Sequence, residues 1–236
     1  MTPEPAHAQI RELEALVLFG STARGDSDAG SDVDVAAFGE STTMADLIGL
    51  KTRLSRCVGE HVSLSVYSKA TAELMASSGS LFLWHLRLEG KVITQKSDWF
   101  GTLLRSLVPY SKRKAEADLD TFASVLKDTA DALRQTEATL LFEAANLFAV
   151  LRSLGMIASM LDQQPCFSRL GPIRHLVARI GNSFSLSENE VDVLRDARLF
   201  YSGKVSQRPE LDPEACRSMT AKVSRIAEIV RRSVYS

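Results

Sequence analysis

Two short motifs separated by ten residues constrain this chain more than any other feature. Gly20-Ser21 follows the apolar run 16–19, and Asp32-x-Asp34 leads into the apolar run 35–38. Glycine permits a tight turn from strand to helix, and Ser21 can cap that helix while backbone N–H groups face a phosphate. Residues two apart on a strand point to one face, and paired carboxylates suit Mg²⁺. The pattern therefore predicts a site for phosphate groups and a divalent metal.

The composition is that of an ordinary globular chain and excludes several classes of protein. The 236 residues carry a formal net charge of −1, so no overall field draws the chain to nucleic acid or to a membrane. Three separated cysteines indicate neither a disulfide framework nor a zinc site. We find no N-terminal signal pattern and no apolar run long enough to span a bilayer. We therefore expect a cytoplasmic location and no membrane partner.

The N-terminal part of the chain alternates between helix and strand patterns. Residues 5–16 place apolar residues near one helical face, while residues 16–19, 33–38 and 61–67 read as strands. Helical spacing returns in residues 44–58 and in the segment that follows the Ser77-Ser78-Gly79 break, and 91–94 reads as a final strand. We expect an α/β (α+β) core with a short mixed sheet, spanning residues 1–97.

The remainder of the chain has no strong strand pattern. Long amphipathic stretches lie at 111–135, 137–162, 170–180, 187–201 and 213–233, with breaks rich in glycine and proline between several of them. The spacing Ser187-x-x-Glu190 predicts a capping box at the start of one helix. Residues 98–236 are therefore predicted to form an all-α helical bundle.

The two motifs resemble those of a known superfamily. The pattern G-S-x10-D-x-D, written here as GSTARGD followed by SDVD, is similar to the signature of the DNA polymerase β-like nucleotidyltransferases, and most closely to their minimal bacterial members. The resemblance covers residues 16–95. It implies a nucleotidyltransferase core, to which such proteins often add a C-terminal helical domain that helps to hold the acceptor substrate.

The resemblance implies a reaction and assigns residues to it. A hydroxyl attacks the α-phosphate of a nucleoside triphosphate and pyrophosphate leaves, with two Mg²⁺ or Mn²⁺ ions stabilising the attacking and leaving oxygens. By position, Gly20 and Ser21 would contact the β- and γ-phosphates, and Ser31 would also bind the nucleotide. Asp32 and Asp34 would be the catalytic metal ligands.

Arg24 and His85 each have two interpretations. Arg24 could help to neutralise the triphosphate, or it could form a salt bridge with Asp26 or Asp28. His85 lies in the segment 82–90, which resembles the segment that closes the core in several bacterial homologues. It could serve in catalysis, but in so apolar a stretch we expect it to pack and hydrogen-bond structurally.

The resemblance also exposes a gap. Active members usually carry a third carboxylate on the strand after the D-x-D strand, where it binds the acceptor-side metal and helps to remove the hydroxyl proton. Here the inward polar position is Ser63, or else Ser65, and a serine supplies no charge. Glu60 could reach in from the strand end, or Glu143 could act from the helical half, as a base does in some aminoglycoside enzymes. Glu143 could equally be an exposed helix position, and the site could be a weak nucleotide-binding module.

Two further clusters in the helical half invite functional interpretations. Lys112-Arg113-Lys114 could bind a triphosphate or a polynucleotide backbone, and a solvated helix terminus explains it equally well. Arg169 and His175 superficially resemble the R-x4-6-H ribonuclease motif of HEPN domains, although the intervening Gly171-Pro172 fits the helix of that motif poorly. A solvated helix start is the alternative for this second cluster.

Three hydroxyl groups follow a basic stretch at the end of the sequence. Ser233, Tyr235 and Ser236 could act as nucleotide acceptors if a flexible end reached the active site, so that the protein would label itself. The alternative is a frayed terminus without a role.

The acceptor itself stays open at this stage. It could be a protein side chain, as in minimal nucleotidyltransferase antitoxins, or a growing oligonucleotide, as in antiphage signalling enzymes. A small molecule of the aminoglycoside type is the third possibility, although the helical half shows no dense acidic run for a polycation. The expected partners are a nucleoside triphosphate, a cognate toxin or effector protein, an oligonucleotide product and a second copy of the chain.

Overall fold

The computed structural model describes residues 13–27, 32–40, 44–58 and 62–235. The chain divides into two compact units, Met1–Pro109 and Tyr110–Ser236. The boundary expected between the core at 1–97 and the helical domain at 98–236 stays a prediction.

The first unit is built on a four-stranded mixed sheet, as the sequence predicted. Its strands are β1 (Leu13–Phe19), β2 (Val33–Gly39), β3 (Val62–Ser68) and β4 (Lys91–Gln95), in the spatial order β3-β2-β1-β4. The β1 strand pairs antiparallel with β2 and β4, and β2 pairs parallel with β3. Because β2 and β3 run the same way, their first residues lie at the same end of the sheet as the last residue of β1.

Helices cover both faces of this sheet. The short α1 (Gly20–Arg24) follows β1, and α2 (Met44–Val58) packs its Leu50 on the face that carries Leu16 and Val35. Three helices, α3 (Lys69–Ser77), α4 (Leu81–Glu89) and α5 (Trp99–Arg105), pack on the opposite face. At the centre of that second core, Phe38 is fully buried and stacks on Tyr67 at a centroid distance of 5.7 Å.

Two predictions for this unit differ from the structure. The helix expected at residues 5–16 is wrong for residues 13–16, which belong to β1, and residues 1–12 lie outside the described part. The alternation of Ala15 and Val17 against Leu16 and Leu18 places apolar side chains on both sheet faces, which a two-sided core favours over a helix. The amphipathic stretches also do not include α5, a helix of only seven residues.

The second unit is a bundle of helices, as predicted. It contains α6 (Lys112–Gln135), α7 (Leu140–Leu161), α8 (Gly171–Ile180), α9 (Glu188–Tyr201) and α10 (Pro213–Tyr235), with a 3₁₀ turn at Gly181–Ser183. The capping box is confirmed. The Ser187 hydroxyl accepts a hydrogen bond from the Glu190 N–H at 3.2 Å, and the Glu190 carboxylate accepts one from the Ser187 N–H at 2.8 Å.

The central helix of the bundle is α7, which packs against α6, α8, α9 and α10. By length and composition α7 could cross a membrane, so the expectation that no apolar run is long enough was wrong. Of its apolar window, 61% is buried inside the protein. Contact with four other helices accounts for an apolar surface on nearly all sides of α7.

Candidate active site

The structure brings the two sequence motifs into direct contact at one end of the sheet. Phe19, the last residue of β1, lies opposite Asp34 in the ladder with β2, and Gly20 begins α1 immediately afterwards. Gly20 has a φ of +73°, a conformation that glycine adopts without steric cost. A Cβ atom at this position would lie 2.5 Å from Oδ2 of Asp34. The carboxylate of the second motif therefore lies against the backbone of the first.

Asp32 and Asp34 provide the acidic part of the site. Both are half-buried, with Asp34 inside β2 and Asp32 just before its first residue. Among the described residues, no group of three histidine, cysteine or acidic side chains could hold a metal ion. A divalent metal would thus depend on these two carboxylates together with oxygens of the substrate, a donor set that fits Mg²⁺.

Ser63 occupies the neighbouring position on the next strand. It lies beside Asp34 in the parallel ladder between β2 and β3, whereas Ser65 lies beside Ala36. Adjacent residues of paired strands direct their side chains to one face, so the Ser63 hydroxyl stands where an additional carboxylate would adjoin Asp34. The inward position predicted from the sequence is confirmed, and it bears no charge. Glu60, the proposed substitute from the strand end, lies outside the described residues.

Comparison with known proteins identifies the first unit. Residues 6–98 match the family model described as "Polymerase beta, Nucleotidyltransferase". The chain carries a nucleotidyltransferase domain of the polymerase beta family. No curated protein matches the chain.

Two solved structures were compared with the chain. Spectinomycin adenyltransferase AAD(9) from Enterococcus faecialis, solved with ATP and spectinomycin, is 11% identical over 92% of each chain, with a TM-score of 0.50. A toxin–antitoxin solved with AMP-PNP is 18% identical over 52% of this chain and 90% of that one, with a TM-score of 0.34. The first likeness extends over both units of the chain and shows the fold.

Arg24 of the nucleotidyltransferase domain is held by two acids. Its Nε lies 3.2 Å from Oδ2 of Asp26, and its Nη1 lies 2.8 Å from Oε2 of Glu89 at the end of α4. Burial alone would lower the pKa of Arg24, but the bonds to Glu89 and Asp26 outweigh it and raise that pKa. The salt bridge expected with Asp26 is present. A direct contact of Arg24 with a triphosphate stays a prediction, and Asp28 lies outside the described residues.

Glu89 is the residue at this site that the sequence did not single out. Its Oε2 also lies 3.0 Å from Nε2 of His85, one helical turn earlier. Burial alone would raise the pKa of Glu89, but hydrogen bonds from His85 and Arg24 outweigh it and lower that pKa. In the sequence, only the four-residue spacing of His85 and Glu89 on a helix indicated that these two side chains could interact. The pairing with Arg24 could not be predicted, because Arg24 is 65 residues away in the sequence. His85 is buried and hydrogen-bonded, as its apolar segment predicted.

Glu143 lies near the start of α7 and is buried, with 5% of its surface exposed. Its Oε2 accepts a hydrogen bond from the Thr129 hydroxyl of α6 at 2.8 Å. The alternative interpretation of Glu143 as an exposed helix position is therefore wrong. Its role as a base stays a prediction, and Glu143 must exchange the bond to Thr129 for one to the acceptor in order to act in that way.

Four further residues were predicted to bind the nucleotide or to act as acceptors, and the structure describes them only in part. Ser31 and Ser236 lie outside the described residues, and the side chain of Tyr235 is likewise not described. Ser233 lies within α10, and its hydroxyl donates a hydrogen bond to the Val230 carbonyl at 2.7 Å. The self-labelling hypothesis for these hydroxyls stays a prediction.

The basic cluster and the histidine motif of the helical unit are found at helix starts. Lys112 and Arg113 are exposed in the first turn of α6, and Lys114 pairs with Asp118. Pro172 lies in the first turn of α8, where proline is tolerated. Nε2 of His175 lies 2.8 Å from Asp162, and Arg169 precedes the helix. The structure thus gives His175 an acidic partner that the sequence did not indicate.

Proposed function

We propose that this protein transfers a nucleoside monophosphate from a nucleoside triphosphate to a hydroxyl acceptor. The observation that carries the proposal is the contact between Gly20 and Asp34 within a nucleotidyltransferase domain. That contact unites a phosphate-binding turn and a metal-binding carboxylate at one place, which is what transfer between phosphate and hydroxyl requires.

Each part of the site has a separate task in this proposal. Backbone N–H groups of the Gly20-Ser21 turn and the Ser21 hydroxyl bind the β- and γ-phosphates. Asp32 and Asp34 hold Mg²⁺ or Mn²⁺, which when bound offsets charge on the phosphate oxygens. The close approach of the Gly20 backbone to Asp34 fixes the triphosphate next to the metal ligands and supplies orientation before reaction. Ser31, in the same motif, adds a hydroxyl contact to the nucleotide.

The proton of the acceptor hydroxyl needs a base that the sheet does not provide. Ser63 beside Asp34 is neutral, so the base comes from outside the described strands of the sheet. We propose Glu143 for this task. It is a buried carboxylate near the start of α7, and it accepts a hydrogen bond from the Thr129 hydroxyl.

Ser63 also supports a second function of a different class. If Asp32 and Asp34 alone hold the metal, the protein could bind a metal–nucleotide complex without turning it over at a useful rate. It would then act as a regulatory or antitoxin module that docks on a partner when nucleotide is bound. Nucleotide binding without transfer distinguishes this function from the first.

The acceptor that we favour is a protein side chain or a growing oligonucleotide. A small cationic molecule is the runner-up, because the helical unit contains no dense run of acids in its sequence. A protein acceptor would be a cognate toxin or effector, and the terminal hydroxyls Ser233, Tyr235 and Ser236 would be acceptors in cis. A role in a toxin–antitoxin pair or in antiviral defence, in the cytoplasm and with a homo-oligomeric protein, belongs to the same proposal.

Nucleotide transfer is tested by following a radioactive label in the α-phosphate. Purified protein is incubated with α-³²P-labelled ribo- and deoxyribonucleoside triphosphates, with Mg²⁺ or Mn²⁺, and with cell extract as the source of acceptors. Products are separated on denaturing gels before and after protease treatment. The comparison is wild type against the double variant Asp32→Asn/Asp34→Asn, with Asp98→Asn as an exposed acid-to-amide control in the same unit.

The proposal predicts labelled product in the wild type and in Asp98→Asn but not in the double variant. Protease-sensitive label indicates a protein acceptor, and protease-resistant label indicates an oligonucleotide or small molecule. Undiminished labelling by the double variant contradicts the proposal. Metal-dependent nucleotide binding without any label favours the binding module.

A further inference from the structure

Helix α1, whose first two residues are the Gly20-Ser21 turn, is too short to be stable by itself. It contains five residues, whereas isolated helices need about 12 or more to be stable in water. Its C-terminal end is closed by the Ser21 carbonyl, which accepts hydrogen bonds from the Gly25 N–H at 2.8 Å and the Asp26 N–H at 3.1 Å. The placement of α1 therefore depends on side chains that join it to the rest of the unit.

Glu89 of α4 accepts two hydrogen bonds through one oxygen atom, one of them from α1. Its Oε2 accepts from Arg24 Nη1 at 2.8 Å and from His85 Nε2 at 3.0 Å. The Glu89 and Arg24 side chains are only 18% and 19% exposed, so water screens the pair little. Arg24 is the last residue of α1, so this ion pair ties the end of α1 to the end of α4.

His85 carries the connection back to the beginning of α1. Its ring lies edge-on to Phe19, with a centroid distance of 5.5 Å and an interplanar angle of 89°. Phe19 directly precedes Gly20 and lies opposite Asp34 in the β1–β2 ladder. Glu89 thus holds the end of the Gly20–Arg24 segment directly through Arg24, and it is linked to the residue before the segment indirectly, through His85 and Phe19.

The positive charge of Arg24 is paired with two carboxylates. Its guanidinium lies between Glu89 and Asp26, with distances of 2.8 and 3.2 Å to their carboxylates. Two carboxylates already neutralise much of the guanidinium's charge, which weakens its attraction for a triphosphate. Releasing Arg24 would also remove the cationic partner of the largely buried Glu89 carboxylate, which would keep the hydrogen bond with His85.

We propose that Glu89 is a positioning residue for the nucleotide site, which holds the Gly20–Arg24 turn against Asp34 through Arg24 and His85. Arg24 acts through Glu89 and not on the phosphates. The inference rests on the proposed function only in what the turn binds, because the anchoring of the turn is a property of the protein without nucleotide.

The anchoring is tested by amide hydrogen exchange in the absence of nucleotide. Glu89→Gln keeps the shape of the side chain and removes its charge. Glu73→Gln is the matched control, since Glu73 in α3 also accepts from a ring N–H, that of Trp99 at 3.1 Å. We expect peptides that cover residues 19–26 to exchange about tenfold faster in Glu89→Gln, which corresponds to the loss of one charge-assisted bond. Unchanged exchange at 19–26 overturns the inference, as does equal acceleration throughout the unit.

The consequence for the nucleotide is tested by a double-mutant cycle. The probe is α,β-methylene-ATP with Mg²⁺, in wild type, Glu89→Gln, Arg24→Gln and the double variant. A positioning role predicts that each single change weakens binding about tenfold and that the double change is no worse, because both remove the same connection. Weakening in Arg24→Gln with unchanged or tighter binding in Glu89→Gln would show a direct phosphate contact by Arg24 and overturn the inference.

The two experiments separate the inference from the proposed function. A wild type that binds no nucleotide analogue removes the proposed function, while exchange at residues 19–26 still decides whether Glu89 anchors the turn. A lowered melting temperature in Glu89→Gln with unchanged exchange at 19–26 and unchanged nucleotide affinity would reduce Glu89 to a general stabilising role and contradict the inference.

Discussion

A Cβ atom on Gly20 would lie 2.5 Å from Oδ2 of Asp34, closer than real Cβ atoms approach any neighbour. The glycine of one motif is thus required by the aspartate of the other. Substitution with a larger residue must displace either the turn or the carboxylate, and both belong to the candidate site.

We therefore predict that Gly20→Ala impairs the site far more than Gly25→Ala. Both glycines have positive φ, +73° and +83°, but a Cβ on Gly25 meets nothing within 4 Å. Gly25→Ala should cost about 1–2 kcal/mol of unfolding free energy from the backbone conformation alone. Gly20→Ala should cost more and should weaken binding of a magnesium–nucleotide complex at least about tenfold. Urea unfolding and nucleotide titration measure the two effects, and equal behaviour of the two variants would contradict the contact with Asp34.

Ser63→Asp is predicted to strengthen metal binding. Placed beside Asp34, the new carboxylate repels it in the metal-free protein and lowers the melting temperature. Mn²⁺ should reverse this loss, since a ligand that binds the folded state raises its stability. Ser65→Asp, on the same face beside Ala36, is the control and should show no such rescue. Scanning calorimetry with and without Mn²⁺ decides the matter, and rescue of both variants or of neither would refute the placement of Ser63.

Ser63→Asp should also raise the rate of label transfer if the missing carboxylate limits it. We expect an increase of about a hundredfold or more, the lower end of what a positioned acid or base contributes. A rate equal to that of the wild type would show that the base already comes from elsewhere.

Glu89 is predicted to make part of the stability depend on pH. Its folded-state pKa lies below the ordinary value of 4.5, because hydrogen bonds from His85 and Arg24 outweigh the effect of burial. Its contribution is therefore fully present above about pH 4.5 and is lost as the pH falls through the lower folded-state pKa. Glu89→Gln should flatten the unfolding free energy against pH in that acid range, while Glu73→Gln should leave the slope intact. An unchanged acid slope in Glu89→Gln would contradict the assigned network.

Two substitutions at Glu143 separate its structural from its proposed catalytic task. Glu143→Ala leaves the buried Thr129 hydroxyl without its acceptor and should cost about 1–3 kcal/mol of unfolding free energy. Glu143→Gln keeps an acceptor for Thr129, and we expect it to retain nucleotide affinity and to lower label transfer at least about a hundredfold. Transfer at the wild-type rate in a folded Glu143→Gln protein would remove Glu143 from the reaction.

The local patterns of the sequence predicted much of the first unit. The spacing of Gly20-Ser21 and Asp32-x-Asp34 predicted that the glycine turn and the acidic groups would meet, because a strand–turn–helix followed by an adjacent strand brings them to one sheet end. Alternation in 61–67 placed Ser63 on the inward face. Local patterns are sufficient for both inferences. The meeting of the two motifs needs only that consecutive strands pair, and the position of Ser63 needs only the alternation along one strand.

Features that depend on distant contacts could not be predicted in this way. The pairing of Arg24 with Glu89 spans 65 residues, and neither local sequence indicates that the two side chains form an ion pair. Residues 13–16 could be read as a helix because their burial on two sheet faces arises only when helices pack on both. Glu143 became buried through packing of α6 on α7, which a single-helix pattern does not contain.

Magnesium-dependent nucleotide binding at Asp34 can be measured by calorimetry. The wild type, Asp34→Asn and Asp98→Asn proteins are each titrated with the Mg²⁺ complexes of α,β-methylene analogues of ATP, GTP, CTP and UTP. We expect magnesium-dependent binding of at least one analogue by the wild type and by Asp98→Asn. We expect binding at least about tenfold weaker in Asp34→Asn, because the proposed function makes the carboxylate against Gly20 a metal ligand. Equal affinity in Asp34→Asn, or no binding by the wild type, would contradict it.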